Sequence, residues 1–391
     1  SKQGIYSIAI GYQAGANTQN AYSVGIGLSA GYSNQGTQSV GIGYSAARCN
    51  QNSYSIAIGA CAGYSNQGTQ SVAVGYGAAR CIQGRQSVAI GSYAGNTNQG
   101  NASVAVGYAA GLLYQNTGAI AVGWAAGQTN QATQAVAIGF QAGALIQGTY
   151  SVAIGANAGF TNQASQSIAV GFNAGYCNQA TQSIAIGYNA GANIQATQSV
   201  AVGACAGYTN QATQSVAVGS SAGKTNQATQ SVAVGFNAGA NIQATKSVAV
   251  GYGAGFTNQA TQSVALGANA ASANQGSFAI AIGSNAAANF QQPYSIAIGY
   301  NTGVGNTVAN GAANGTILIG TGANSTFTNS VVISGGNTTG IAAAIACAFY
   351  IGPVRNTTGT AYLEYNSTTK EVTWSATVPS DNRMKENIAI I

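Results

Sequence analysis

Short runs of alternating apolar and small residues recur along most of the chain. The segment Ser-(Val/Ile)-Ala-(Val/Ile)-Gly begins at Ser7, returns at Ser23 and keeps this 16-residue spacing up to Ser295, with single replacements in a few copies. No insertion or deletion interrupts the spacing. Such strict periodicity predicts that each unit is one turn of a stack of identical supersecondary elements. A helix is disfavoured, because Gly recurs throughout and no apolar stripe of helical period is present.

Within each unit, numbered from its Ser as position 1, the pattern predicts a short strand. A period of two places positions 2 and 4 on one face and positions 1, 3 and 5 on the other. Positions 2 and 4 are Val or Ile, with one Leu. Because this face is β-branched, we expect it to be the packed interior. The opposite face of Ser, Ala and Gly would let another backbone approach closely.

The predicted fold class is therefore all-β, a parallel β-solenoid in which each 16-residue unit is one coil. Coils stacked at about 4.8 Å would give a rod of roughly 85 Å. A single coil of small residues encloses little volume, and a lone rod would expose much apolar surface. We therefore expect lateral association, most simply into a homotrimer.

Two columns of identical residues follow from stacking the units. Position 5 is Gly in every unit and is expected to end the strand in a turn with unusual dihedral angles; it includes Gly11, Gly155 and Gly251. Position 13 is Gln in all complete units, where we predict a buried amide ladder, with ligand binding as the alternative; it includes Gln19, Gln35, Gln163, Gln211 and Gln259.

Aromatic residues concentrate at position 6, which suggests a third column with a contact role. They would pack against a neighbouring coil or subunit, or form a stripe that contacts a host glycan or another surface. Position 12 alternates Asn with apolar residues such as Ile146 and Ile194, which favours contact with a partner chain. The possible surface-contact residues include Tyr44, Trp124, Phe140, Phe172 and Tyr252.

Composition removes most catalytic chemistry from the chain. Charged residues make up 4%, His is absent, and the first carboxylate side chain is Glu364. Paired-carboxylate catalysis, Ser-His-Asp triads and His or carboxylate metal sites are thus excluded from the repeats. We expect no cofactor and no metal. The six cations of the repeat region are scattered, which argues against nucleic acid as a partner.

Neither a membrane span nor a disulfide framework is expected. No stretch reaches the ~20 apolar residues that a spanning helix needs. Cys49 and Cys81 share a column but are two coils apart, which is too far to bridge. We expect free thiols, with an interchain disulfide as the alternative.

The repeat core resembles the head repeats of trimeric autotransporter adhesins of the YadA type. The likeness rests on Ser-Val-Ala-Ile-Gly followed by Asn-Ala, as in Ser151 to Ala158, and spans about residues 5–335. It implies a left-handed parallel β-roll, three chains wide, that binds host matrix or cell surfaces. The repeats here are longer than is usual in that family, which would enlarge one turn. The last units begin at Thr316 and Ser330, and this shorter step is closer to the family spacing.

A second resemblance lies at the C-terminal end. Residues 349–374 are expected to form two strands and a turn, and Ser380-Asp-Asn-Arg-Met-Lys385 follows. This segment resembles the start of the endosialidase-type intramolecular chaperone of phage tail fibres and giant-virus surface proteins. The likeness implies autocleavage, with Ser380 as nucleophile, Lys385 as base and Asp381 beside the scissile bond. An exposed, inert tail is the alternative for these residues.

The predicted organisation is a repeat shaft over 1–303, atypical terminal coils over 304–345, a short β-hairpin neck over 346–379, and the start of a truncated chaperone over 380–391. The predicted function is a non-enzymatic surface fibre or adhesin on a virion or bacterial cell. It would attach to a host glycan or protein, or space a receptor-binding tip. One alternative is a precursor whose chaperone folds the trimer and then cleaves itself off. Another is an ice-binding solenoid, motivated by Thr at position 15.

Overall fold

A computed structural model describes residues 2–304, 314–335, 342–343, 346–352, 362–365 and 372–375. The regular secondary structure of these residues consists of β-strands alone. Each 16-residue unit forms one coil with a short strand at positions 2–4 and, up to the unit that ends before Ala279, a second strand at positions 11–13; in the next unit Gln291 makes a single bridge there. Strands at the same position in successive coils pair in parallel, as two walls of one solenoid. The predicted parallel β-solenoid with 16-residue coils is confirmed.

The first wall, called sheet 1, is built from the strands at positions 2–4 and continues beyond the regular repeats. Its strands are Ile8–Ile10, Val24–Ile26, Val40–Ile42, Ile56–Ile58, Val72–Val74, Val88–Ile90, Val104–Val106, Ile120–Val122, Val136–Ile138, Val152–Ile154, Ile168–Val170, Ile184–Ile186, Val200–Val202, Val216–Val218, Val232–Val234, Val248–Val250, Val264–Leu266, Ile280–Ile282, Ile296–Ile298, Ile317–Ile319, Val331–Ser334 and Phe349–Gly352.

The opposite wall, called sheet 2, is an 18-stranded parallel sheet formed by positions 11–13. Its strands are Lys2–Gln3, Thr18–Gln19, Ser33–Gln35, Cys49–Gln51, Ser65–Gln67, Cys81–Gln83, Thr97–Gln99, Leu113–Gln115, Thr129–Gln131, Leu145–Gln147, Thr161–Gln163, Cys177–Gln179, Asn193–Gln195, Thr209–Gln211, Thr225–Gln227, Asn241–Gln243, Thr257–Gln259 and Ala273–Gln275.

The register places equivalent residues directly above one another. In sheet 1, Ala153 pairs with Ala169, and in sheet 2, Gln163 pairs with Gln179. Each sequence position therefore becomes a continuous column along the shaft. In-register stacking turns the constant positions, Gly at position 5 and Gln at position 13, into columns of one chemical character along the shaft.

The interior is the small-residue face of sheet 1, so our expectation that Val and Ile fill it is wrong. Ala153 and Ala158 are fully buried, whereas Ile154 at position 4 is 38% exposed. The largest fully buried side chains of the described chain are glutamines of position 13. A 16-residue coil encloses too little volume for two rows of β-branched side chains at native packing density. Ala, Ser and Gln fill that space, and Val and Ile point outward.

The corners of the coil use backbone conformations that small or amide residues tolerate best. Gly155 at position 5 has φ +124°. Positions 7, 12 and 16 adopt the left-handed region, which suits Asn and is costly for β-branched residues. Position 12 is nevertheless Ile in four coils, among them Ile194, which has φ +58° and half of its side chain exposed. The left-handed conformation therefore explains Asn at positions 7 and 12 and does not explain the isoleucines at position 12.

The parallel ladder extends past the regular repeats. Ile317–Ile319 pairs with Val331–Ser334, which pairs with Phe349–Gly352. Short strands at Asn324–Ser325 and Ala342–Ala343 also pair in parallel. Separately, Tyr362–Tyr365 and Val372–Ser375 form an antiparallel pair, in the region where two strands and a turn were predicted. The domain boundaries proposed above stay predictions.

Candidate functional site

The glutamines of position 13 link the two walls inside each coil. Gln195 Nε2 donates to the carbonyl oxygen of Ile184 in sheet 1, at 2.6 Å. The same amide lies 3.2 Å from Gln211 Oε1 in the next coil. Each glutamine therefore ties sheet 2 to sheet 1 and one coil to the next. Because these side chains are fully buried, they are not available to an external ligand.

The amide ladder is continuous only in the later part of the shaft. From Gln115 to Gln275, each Nε2 donates to the Oε1 of the glutamine in the following coil, and Gln291 is the last acceptor. In the earlier coils several buried Oε1 atoms, such as that of Gln35, accept no hydrogen bond. A buried acceptor without a donor costs free energy. The earlier coils are thus less completely hydrogen-bonded than the later ones.

Exposed amides form additional ladders on the outside. At position 16, Gln182 Nε2 donates to Gln166 Oε1, and Gln198 donates to Gln182. At position 12, Asn162 Nδ2 donates to Asn178 Oδ1 at 3.2 Å. The Thr residues of position 15 therefore lie beside amides that are already bonded to one another. This surface therefore carries amide ladders that are interrupted by exposed Ile at position 12 and by exposed aromatic residues at position 16.

The aromatic residues of position 6 form stacks rather than isolated contacts. The longest stack, called the aromatic ladder, comprises Tyr76, Tyr93, Tyr108, Trp124 and Phe140. Trp124 and Phe140 have ring centroids 4.7 Å apart and nearly parallel planes. Tyr93 lies at position 7 and joins by edge contacts, because its N–H donates to the carbonyl oxygen of Tyr76. About half of the Tyr108 and Trp124 side chains is exposed, so the ring edges line the surface.

The other predicted contact residues occupy shorter groups. Phe172 stacks on Tyr188, and Tyr252 stacks on Phe236. Tyr44 is exposed, and its column neighbours are the non-aromatic Leu28 and Ala60. The structure thus joins Trp124 and Phe140 in one ladder but does not bring Tyr44, Phe172 or Tyr252 into it.

A second set of stacked side chains occupies position 10 in four successive coils. This cation ladder comprises Tyr32, Arg48, Tyr64 and Arg80. The Arg48 guanidinium carbon lies 5.7 Å from the Tyr32 ring centre and 5.4 Å from that of Tyr64. The Arg80 guanidinium carbon lies 5.9 Å from the Tyr64 ring centre. Each guanidinium is therefore held by aromatic rings.

Hydrogen bonds to phenol groups reinforce both ladders. Arg48 Nη1 donates to the Tyr64 hydroxyl, and this bond raises the pKa of the Arg48 guanidinium. The Arg48 Nε atom is buried and has no hydrogen-bond partner. A hydrogen bond with Tyr76 raises the pKa of Tyr93, while the positive charge of Arg80 acts on Tyr93 in the opposite direction. Arg48 stays cationic at any physiological pH, because a guanidinium does not lose its proton in proteins.

The two ladders meet where coils five and six stack. Asn96, which follows Arg80 in the position 10 column, donates to the carbonyl oxygen of Gly77 at 2.8 Å. The Tyr93 ring lies against the same glycine, 3.2 Å from where a Cβ atom would be. The cation ladder therefore ends at Arg80 in the same coil in which the aromatic ladder begins at Tyr76, and the charge of Arg80 acts on Tyr93.

Our interpretation of the sequence missed the cation ladder and Tyr93. The signal was present, because Tyr and Arg alternate with the 16-residue period from Tyr32 to Arg80. Position 10 varies over the whole chain, which conceals this local alternation. The contribution of Tyr93 depends on the turn geometry, because it lies one position away from the aromatic column.

The remaining candidate residues carry no assembled chemistry in the described part of the chain. Ser380, Asp381 and Lys385 lie outside the described residues. All six cysteines are free thiols, and burial raises the pKa of the Cys177 thiol. Among the described residues, no three Cys, His or acidic side chains are grouped as a metal site, and no helix is long and apolar enough to cross a membrane.

Comparison with known families identifies the repeat. A family model described as YadA head domain repeat (2 copies) matches residues 3–27, 131–158, 179–204, 227–254, 259–286 and 275–302. No curated protein and no solved structure matches the chain. The chain thus carries adhesin-like YadA head repeats on a β-solenoid, which indicates a surface-exposed, fibre-like extracellular protein.

Proposed function

We propose that this chain is the shaft of a homotrimeric surface fibre on a virion or bacterial cell. It would mediate attachment or hold a receptor-binding tip away from the surface. The observation that carries the proposal is the outward row of Val and Ile on sheet 1. Side chains such as Ile154 and Ile186 are each about two-fifths exposed in the single chain. A continuous apolar face of this length marks an interaction surface.

The repeat supports three identical chains as the cover for this face. The columns run straight along the shaft, so a symmetric neighbour can make the same contact at every coil. Sister chains would bury the Val and Ile rows, which provides the apolar core that the interior of the coil lacks. The match to YadA head repeats supports the trimeric state.

Analytical ultracentrifugation of the full chain tests the trimer. We expect three times the 38.5 kDa of one chain. The variant with Ile154→Lys and Ile186→Lys should shift the mass to that of one chain, because charges would be buried between sister chains. Gln182→Lys is the matched control, since position 16 already carries Lys246. A wild-type protein that sediments as one compact chain would refute the trimer.

Antibodies against the shaft test its location. Immunogold labelling of the intact source particle or cell should decorate thin projections. Labelling that requires disruption of the particle or cell would contradict a surface fibre.

We further propose that the full protein includes the folding chaperone suggested by Ser380-Asp-Asn-Arg-Met-Lys385. Ser380 would be the nucleophile and Lys385 its base, with cleavage beside Asp381. The chain joined to a C-terminal chaperone of that family should split at this point, as measured by mass spectrometry. Ser380→Ala should abolish the split, whereas Ser375→Ala should not. Unchanged cleavage in the Ser380→Ala variant would rule out this role.

A further inference from the structure

We propose that the joined cation and aromatic ladders form a binding belt for acidic polysaccharide chains. The belt runs from Tyr32 in the second coil to Phe140 in the ninth, seven coil steps or roughly 34 Å. This inference rests on the proposed surface function for its biological use, and it specifies the chemical class of the attached ligand.

The positive charge of the belt has no internal counterion. Arg48 and Arg80 lie two coils apart, and no carboxylate side chain occurs before Glu364. Within the described part of the chain, the Arg80 guanidinium makes no hydrogen bond and no ion pair, and Arg48 makes only its bond to Tyr64. A guanidinium has five N–H donors arranged as a planar fork. Most donors of these two forks are therefore unused by the protein.

The arginines are also preorganised for an anion. Rings lie over Arg48 from both neighbouring coils, which restricts the motion of its side chain. On Arg48, whose Nε is buried and whose Nη1 bonds to Tyr64, the Nη2 group remains for a ligand. The exposed Arg80 keeps its fork for bidentate contacts, a geometry that matches carboxylate and sulfate oxygens. Restricting the side chain before binding lowers the entropy lost when a ligand is bound.

The aromatic part of the belt favours a hydroxyl-rich ligand over a nucleic acid. Single-stranded nucleic acids bind by stacking their bases on free ring faces. Here Trp124 is stacked on Tyr108 at 5.9 Å and on Phe140 at 4.7 Å, so its faces are already covered. The half-exposed tyrosines offer ring edges and hydroxyl groups instead. Such groups exchange hydrogen bonds with sugar hydroxyls.

Biolayer interferometry with the full chain tests the belt at about physiological salt, where exposed charges are screened beyond ~8 Å. The probes are heparin for sulfate, polygalacturonate for carboxylate, dextran as a neutral glycan, single-stranded DNA and polyglutamate. We expect binding of heparin or polygalacturonate and none of dextran. Whichever of the two acidic glycans binds more tightly identifies the preferred anion, and either result supports the proposal.

Three double variants distinguish binding by the belt from binding by the net charge of the chain. Arg48→Gln with Arg80→Gln should weaken glycan binding about tenfold or more, equivalent to about 1.4 kcal/mol or more. Lys224→Gln with Lys246→Gln removes the same charge outside the belt and should change affinity less than about threefold. Arg48→Lys with Arg80→Lys keeps the charge but loses the fork, and should retain only a minor part of the affinity. Equal loss in the Gln pairs would overturn the proposal.

The ring hydroxyls provide a further comparison. Tyr76→Phe with Tyr108→Phe should weaken glycan binding severalfold, whereas Tyr188→Phe with Tyr252→Phe should not. Equal weakening by both Tyr pairs would overturn the role of the aromatic ladder. Unchanged thermal midpoints would show that each variant remains folded. Absence of acidic glycan binding, or tighter binding of DNA or polyglutamate than of both glycans, would overturn the proposal.

Ultracentrifugation in the same buffer keeps this result separate from the proposed function. A trimer that binds neither acidic glycan would refute the belt and leave the fibre intact. A single chain that binds through Arg48 and Arg80 would refute the trimer and leave the belt intact.

Discussion

Gly155→Ala is expected to destabilise the shaft by about 3 kcal/mol or more, one of the largest effects of any single methyl group in this protein. Gly155 has φ +124°, a region that residues with a Cβ atom rarely adopt. A Cβ atom would lie 2.6 Å from the carbonyl oxygen of Gly171 in the next coil. Both obstacles belong to the backbone, so no side-chain rearrangement can relieve them.

Hydrogen exchange and thermal unfolding measure this effect. Because coils interact mainly with their neighbours, faster exchange should be concentrated in the coils around Gly155. Gly253→Asn is the matched control. Gly253 has φ +60°, and its column contains Asn237 and Asn269 in the neighbouring coils with the same conformation. Its midpoint should remain close to wild type. Equal midpoints for Gly155→Ala and wild type would disprove the steric argument.

Gln195→Glu is expected to cause a loss of stability that grows with pH. Gln195 Nε2 donates to the carbonyl oxygens of Ile184 and Ser199. In the Glu variant an oxygen would replace the Nε2 donor. This oxygen would face the two carbonyl oxygens in a site that water does not reach. Burial and repulsion should raise the pKa of the new carboxyl in the folded state above the ordinary value of about 4.3. The added destabilisation should be small below pH ~4 and reach about 3 kcal/mol by pH 7.

The pH dependence distinguishes charge from lost hydrogen bonds. Gln195→Met removes the same donor without introducing a charge, so it should cost about 1–3 kcal/mol at every pH. Gln198→Glu places a carboxyl at the exposed position 16 and should have little effect. Thermal unfolding of all three variants at pH 4 and pH 7 provides the measurement. A Gln195→Glu variant with the same deficit at both pH values would contradict the buried-amide interpretation.

Much of the fold follows from the sequence because the coil is a local unit repeated without interruption. Because Gly returns at position 5 in every 16-residue unit, equivalent strands of successive coils are predicted to stack in register. Val152 pairs with Ile168 in this way. The columns of the candidate site follow from the same count. Trp124 and Phe140 are one coil apart, so their stacking is a consequence of the period.

The inside and outside of the coil do not follow from alternation alone. Alternation in Val152-Ala-Ile154 separates two faces but leaves open which of them is enclosed. Apolar preference favours the β-branched face as the interior. The small enclosed volume favours the opposite choice, because Gln163 must reach across the coil to the carbonyl oxygen of Val152. The small volume inside the coil therefore decides which face is enclosed, and it outweighs the tendency of Val and Ile to be buried. The Val and Ile side chains remain on the outside, where they can contact other chains.

The sequence by itself determined the period, the parallel stacking, the columns and the absence of acidic and histidine chemistry from the shaft. The tertiary structure alone decided which face is enclosed and which neighbouring columns touch. Tyr93 joins the aromatic ladder because a left-handed turn residue bonds to Tyr76 in the coil before it. Repetition along the shaft is encoded by residue spacing, whereas contacts around the coil depend on turn angles and enclosed volume. Spacing can be counted from the sequence, but angles and volume emerge only when the coil closes.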